Sequence, residues 1–174
     1  AQNRSMGQID QMLATFKFQA GSGESAIVTR IVITDTLSGN VTNAAGSVTN
    51  LKLFKQDGTQ VGYTIFSMEP NGSIATATFL PTNFTISAGA PILLTLKGDS
   101  GTVSGSIHRF GINSSSDVTA TGASTSANAS PSFDAPIIGN AQTVYRSELT
   151  VANAQSNSSG GQGTDQLIGK YRFT

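Results

Sequence analysis

Met12-Leu13-Ala14-Thr15-Phe16-Lys17-Phe18-Gln19-Ala20 changes character at almost every step. Met12, Ala14, Phe16, Phe18 and Ala20 make one apolar face, and Leu13, Thr15, Lys17 and Gln19 a mostly polar one. A period of two is that of a half-buried strand. Outward from it, residues 26–36 are β-branched nearly throughout (Ile27, Val28, Thr29, Ile31, Val32, Ile33, Thr34, Thr36), as in a central strand. Leu51 and Leu53 alternate with Lys52, Phe54 and Lys55; after Gln56-Asp57-Gly58-Thr59 the alternation resumes at Val61, Tyr63 and Ile65. Asp-Gly between two such runs predicts a type I′ hairpin, in which both central residues take positive φ. Further strands are expected over 73–80, 91–97, 102–113 and 141–152, with Pro81, Pro91, Pro131 and Pro136 between them or at their starts. Residues 114–132, rich in Ser, Thr, Ala, Asn and Gly, read as a long exposed loop with one edge strand near 118–121. A helical period through Met6, Ile9, Met12, Leu13 and Phe16 competes with the first strand, but the Phe16-Lys17-Phe18 alternation is stronger. The expected fold is all-β: an antiparallel β-sandwich, Ig-like or jelly-roll-like.

Ser, Thr, Asn and Gly supply 73 of the 174 residues, whereas 11% are charged and the formal net charge is zero. A neutral chain is a poor partner for nucleic acid or an anionic membrane surface, both of which select a basic excess. With no cysteine, disulfides, thiol catalysis and zinc fingers are excluded. No apolar window approaches the 18 residues of a membrane span. No signal-peptide pattern is visible at Ala1, so an exported protein would be represented here by its mature form or a fragment. The expectation is an extracellular or cell-surface protein with no membrane insertion and no cofactor.

The two ends echo each other. Asp10-Gln11-Met12-Leu13-Ala14-Thr15-Phe16-Lys17-Phe18 matches Asp165-Gln166-Leu167-Ile168-Gly169-Lys170-Tyr171-Arg172-Phe173, with Thr15 against Lys170 the one dissimilar pair. The chain divides accordingly into a sandwich over 1–153, a flexible Asn/Ser/Gly/Gln linker over 154–164 and an extra strand over 165–174. The extra strand either begins the next unit of a tandem array or serves as a donor strand that adds to a neighbouring subunit. In the second case Asp165, Gln166, Leu167, Ile168, Tyr171 and Phe173 form the assembly strand, with Leu167, Tyr171 or their alternates facing the neighbour's core. Met12, Ala14, Phe16 and Phe18 then mark the groove strand that they copy.

Three pieces carry a family resemblance: Leu13–Ala20, Val48–Lys55 with its Asp57-Gly58 turn, and Ile92–Gly98 with Asp99. They resemble tandem β-sandwich modules of large surface and stalk proteins in small-genome, uncultivated bacteria, over most of residues 10–113. A weaker similarity is to strand-exchanging pilus subunits, whose end segment completes the next subunit's sandwich. Both imply a structural or adhesive extracellular protein, and neither implies a catalytic site.

Little chemistry stands out against this reading. Gly98-Asp99-Ser100-Gly101 resembles the nucleophile loop of trypsin-like proteases, but the one histidine, His108, follows eight residues later and the family's preceding His and Asp are absent; these residues read as a turn. His108 alone reads as a satisfied strand residue. Asp57, Asp99, Asp117 and Asp134 are scattered and lack the spacing of a calcium loop, so no metal is expected. Glu69 and Glu148 are isolated. Gly21-Ser22-Gly23-Glu24 lacks the lysine of a phosphate loop and reads as a hairpin turn. Tyr63, Tyr145, Phe110 and Phe133 are candidates to stack on sugars, although most aromatics fall in the core phase. Seven Asn-x-Ser/Thr acceptors, at Asn3, Asn40, Asn71, Asn83, Asn113, Asn128 and Asn157, suit a glycoprotein surface. The leading expectation is a structural subunit of an extracellular filament, pilus or surface layer that polymerises with copies of itself by β-strand exchange. The alternative is a carbohydrate-binding or adhesive module of a tandem-repeat stalk, with surface glycans as partners.

Overall fold

The computed structural model describes residues 2–40, 48–65, 73–82, 84–133, 136–146, 151–155 and 170–173; for 63–65, 151–155 and 170–173 it describes the backbone alone. In chain order the strands are β1 (Gln2–Ser5), β2 (Gln11–Gln19), β3 (Ala26–Gly39), β4 (Val48–Lys55), β5 (Tyr63–Ile65), β6 (Ile74–Leu80), β7 (Phe84–Ile86), β8 (Pro91–Ser100), β9 (Ser106–Ile112), β10 (Val118–Gly122), β11 (Asn128–Ala129), β12 (Ile137–Ile138), β13 (Gln142–Tyr145), β14 (Val151–Gln155) and β15 (Lys170–Phe173). The protein is an all-β sandwich of two packed sheets. Among the described residues there is no α-helix, and the helical period near Met6 is overridden by the pleat of β2.

β3 is the spine of the larger sheet. Its β-branched run lets 14 residues stay extended and buried. β9 pairs with its second half and β10 with its first, while β6 and β7 do the same on the other side; Ile31 is thus paired with both Phe79 and Val118. Each flanking strand is broken once: β6 from β7 around Pro81, which has no N–H to give a ladder, and β9 from β10 by a 3-10 turn at Ser115–Asp117. β11 extends the sheet beyond β10; β12, β13 and β1 extend it beyond β9, and β5 pairs with β6. The strand expected near 118–121 within residues 114–132 is present. It is β10, whose Val118 and Ala120 are buried in the core and which lies between β3 and β11 rather than at an edge. The β1–β13 pair is parallel, the exception to an otherwise antiparallel arrangement of ladders.

The smaller sheet has three strands in the order β2-β8-β4. Leu94 and Leu96 of β8 pack with Leu13, Phe16, Leu51 and Leu53 against Ile31, Ile33, Phe79, Phe84 and Phe110 of the larger sheet. Each fully buried side chain of this kind contributes about 1.5–3 kcal/mol relative to exposure. A register shift between Met12 and Ala14 changes the phase of β2, so Leu13 is 5% exposed and Met12 is 52% exposed. Leu13, not Met12, begins the inward face, which continues through Phe16 and the half-buried Phe18.

Three turns differ from expectation. At Asp57-Gly58 only Gly58 has positive φ, at +84°, and its N–H bonds Lys55 O at 3.0 Å. That is a turn closed by a glycine bulge, not type I′. The returning chain makes one bridge, Phe54 to Gln60, before β5 crosses to the larger sheet. Residues 21–24 link β2 to β3 in opposite sheets, so they are a crossover and not a hairpin. Gly98–Ser100 continues β8 and is not a turn. Beyond Tyr145 the described chain resumes at β14, which pairs antiparallel with β15 in a separate two-stranded sheet.

Candidate functional site

The three-stranded sheet leaves a cleft against the larger sheet beside β2. Among the described residues β2 pairs with β8 alone, so its other side is a free edge. The start of that edge is occupied. Arg4 bonds Met12 O and Gln142 Nε2 bonds Leu13 O at 3.3 Å. Arg4 also donates to Gln142 Oε1 at 3.0 Å and Gln11 Oε1 at 3.1 Å, tying β1 to both sheets. From Lys17 to Ala20 the edge borders a cleft of about 890 Å³. Its far wall is β10, β11 and residues 130–133, and Phe18, Ala20, Val28, Ile86, Ala120 and Phe133 make it apolar. Glu24 stands at its mouth, accepting from Ser124 N at 3.1 Å and Thr125 Oγ1 at 2.9 Å. The Thr125 hydroxyl, with help from the Ser124 amide, holds the Glu24 carboxyl below its usual range.

The second cluster is buried. His108 Nδ1 lies 2.6 Å from Asp35 Oδ2, and His108 Nε2 lies 3.1 Å from Ser106 Oγ. Alternation along β9 turns Ser106, His108, Phe110 and Ile112 inward, and β3 brings Asp35 alongside. These are the contacts of a Ser-His-Asp triad, but all three residues are at most 1% exposed. The hydrogen bonds also run the wrong way for a nucleophile. Ser106 Oγ gives its one proton to Val103 O at 2.9 Å, which leaves it an acceptor for Nε2–H. Asp35 Oδ1 accepts Arg109 N–H at 3.1 Å, so every polar atom of the trio is satisfied. Burial pushes the Asp35 carboxyl up, against the opposing pull of His108 and the Arg109 amide. The trio is a core hydrogen-bond chain from Val103 O to Arg109 N. Asp35 was not singled out from the sequence, and its place in an otherwise apolar-facing β-branched run is the signal that marks it.

Of the four residues expected to mark a groove strand, Phe16 is buried, Phe18 and Ala14 are half-buried and Met12 is exposed. Of the assembly strand, the backbone of Tyr171 and Phe173 belongs to β15, whereas Asp165, Gln166, Leu167 and Ile168 lie outside the described residues. Among the acceptor asparagines, Asn3, Asn40, Asn113 and Asn128 are exposed; Asn71, Asn83 and Asn157 lie outside the described residues, as do Glu69, Asp134 and Glu148. Phe110 is core and Tyr145 is 46% exposed; the Tyr63 side chain is not among those described. Ser100 Oγ donates to Ser5 O at 2.7 Å and accepts Gln8 N–H at 2.9 Å, fastening the chain start to β8. Among the described residues no three His, Cys, Asp or Glu side chains gather as metal ligands. Comparison with protein-family models, with curated proteins and with solved structures gives no match to this chain. The likeness to surface modules and pilus subunits therefore rests on the quoted motifs alone.

Proposed function

We propose that this protein is a structural subunit of an extracellular filament or surface assembly, and that copies join by β-strand exchange through the C-terminal segment. The observation that carries the reading is a coincidence of two features. The tail repeats the sequence of β2, and β2 is the strand whose edge is left open beside an apolar cleft. Edge strands are ordinarily blunted against such pairing. Donor and acceptor lie on different parts of the chain, so the contact is head-to-tail and propagates into a filament unless the rotation closes a ring. Main-chain hydrogen bonds supply affinity and alternate side chains supply specificity. The near-neutral, Thr- and Ser-rich surface suits close contact between copies without charge repulsion. Electron microscopy of the chain lacking residues 161–174 tests this. Dispersed particles are expected where the full chain gives filaments, and adding the peptide 165–173 to the full chain should cap growth. Filaments unchanged by the deletion would refute the proposal.

A further inference from the structure

We infer that the cleft beside β2 seats the β14–β15 hairpin of a second copy, with β15 along the open edge of β2 and Tyr171 and Phe173 turned into the cleft. The inference rests on the strand-exchange reading and adds the acceptor site, the donor's facing and the unit that moves.

Length is the first argument. Arg4 and Gln142 close the edge at Met12 and Leu13, and the cleft borders it from Lys17 to the end of β2 at Gln19. β15, with four residues, is short enough to lie along the part of β2 beyond that closed start. Facing is the second. Lys170, Tyr171, Arg172 and Phe173 align with Thr15, Phe16, Lys17 and Phe18, of which Phe16 is buried, Phe18 lines the cleft, and Thr15 and Lys17 are exposed. An added strand shares the pleat of its neighbour, so the same phase sends both aromatics inward and both cations outward. The β2 bulge extends the comparison upstream. Leu13 takes the inward place there, and its counterpart is Ile168 rather than Leu167.

The third argument concerns the donor. Among the described residues β14 and β15 pair with each other and with no strand of either sheet. A two-stranded hairpin by itself is marginal in water and needs a sheet or a core to rest on. Docked on β2, it would extend the three-stranded sheet to the order β14-β15-β2-β8-β4 and close the cleft over the larger sheet.

Because the protein has no cysteine, single introduced thiols report unambiguously. Full-length Thr15→Cys or Lys17→Cys chains are mixed with size-tagged full-length Lys170→Cys or Arg172→Cys chains and oxidised. All four sites lie in the outward phase, so the core is untouched. Mixed disulfide dimers should exceed, several-fold, those formed with Lys52→Cys, an exposed site on β4 at the opposite edge of the sheet. Chains that still form filaments but cross-link no better at β2 than at Lys52 would overturn the inference and leave strand exchange standing. Chains that neither assemble nor cross-link would overturn both.

Discussion

His108, Asp35 and Ser106 form an unbroken polar chain in a core where a single unpaired atom would cost about 1–3 kcal/mol. Asp35 Oδ2 and His108 Nδ1 are 2.6 Å apart, and ionising Asp35 places a charge in that buried contact. The folded Asp35 carboxyl is raised above its ordinary 3.8, so the native state binds more protons than the unfolded chain between those values. Because burial raises it, more than His108 and the Arg109 amide lower it, stability is undiminished by this group below 3.8 and falls as pH rises towards the raised value, by up to about 1.4 kcal/mol per pH unit. Asp35→Asn keeps an acceptor for Arg109 N–H and offers an N–H to Nδ1, so the same chain persists without titrating. Urea midpoints measured from acid to neutral pH should therefore flatten in Asp35→Asn relative to the natural chain. Parallel profiles would place the titration elsewhere. Of this trio the sequence marks only His108 as satisfied; Ser106 is two residues away on the same strand, but Asp35 is 73 residues distant and meets them through strand register, which no local pattern encodes.

At the scale of elements, β8 explains both irregular neighbours. Gly98 lies where the bulges of β2 and β4 close in. A Cβ there would come within 2.7 Å of Leu51 Cδ2, 3.0 Å of Thr49 O and 3.1 Å of Leu13 Cδ1. Glycine lets both bulged leucines reach the core at one level. Asn50 takes the left-handed backbone of the β4 bulge, at φ +51°, a conformation asparagine tolerates. Gly98→Ala should cost about 1–3 kcal/mol by overpacking, read as a lower urea midpoint with unchanged slope. An unchanged midpoint would mean that the bulges relax freely. Strand positions along β2, β3, β4, β6 and β8 were legible because alternation and β-branching are local. The phase of β2 was not: Met12 and Leu13 are both apolar, and only the bulge opposite Gly98 decides which turns inward.

For the whole molecule, the sandwich was legible from many short alternating strands. β10 was legible as a strand near 118–121 but not as an inner one, because its place between β3 and β11 comes from long-range pairing and not from its own Ser/Thr-rich sequence. The cleft was hidden because it lies between the two sheets, a property of no single segment. The proposed assembly rests on that cleft, beside which a strand from a second copy would lie along β2. An exposed acceptor, Asn128, sits at that cleft. The most direct measurement is sedimentation velocity of the full chain over a concentration series, beside the chain lacking 161–174. The account predicts species that grow with concentration beyond the 17.9 kDa monomer, and monomer alone after the deletion. A full-length chain that stays monomeric at every concentration would contradict it.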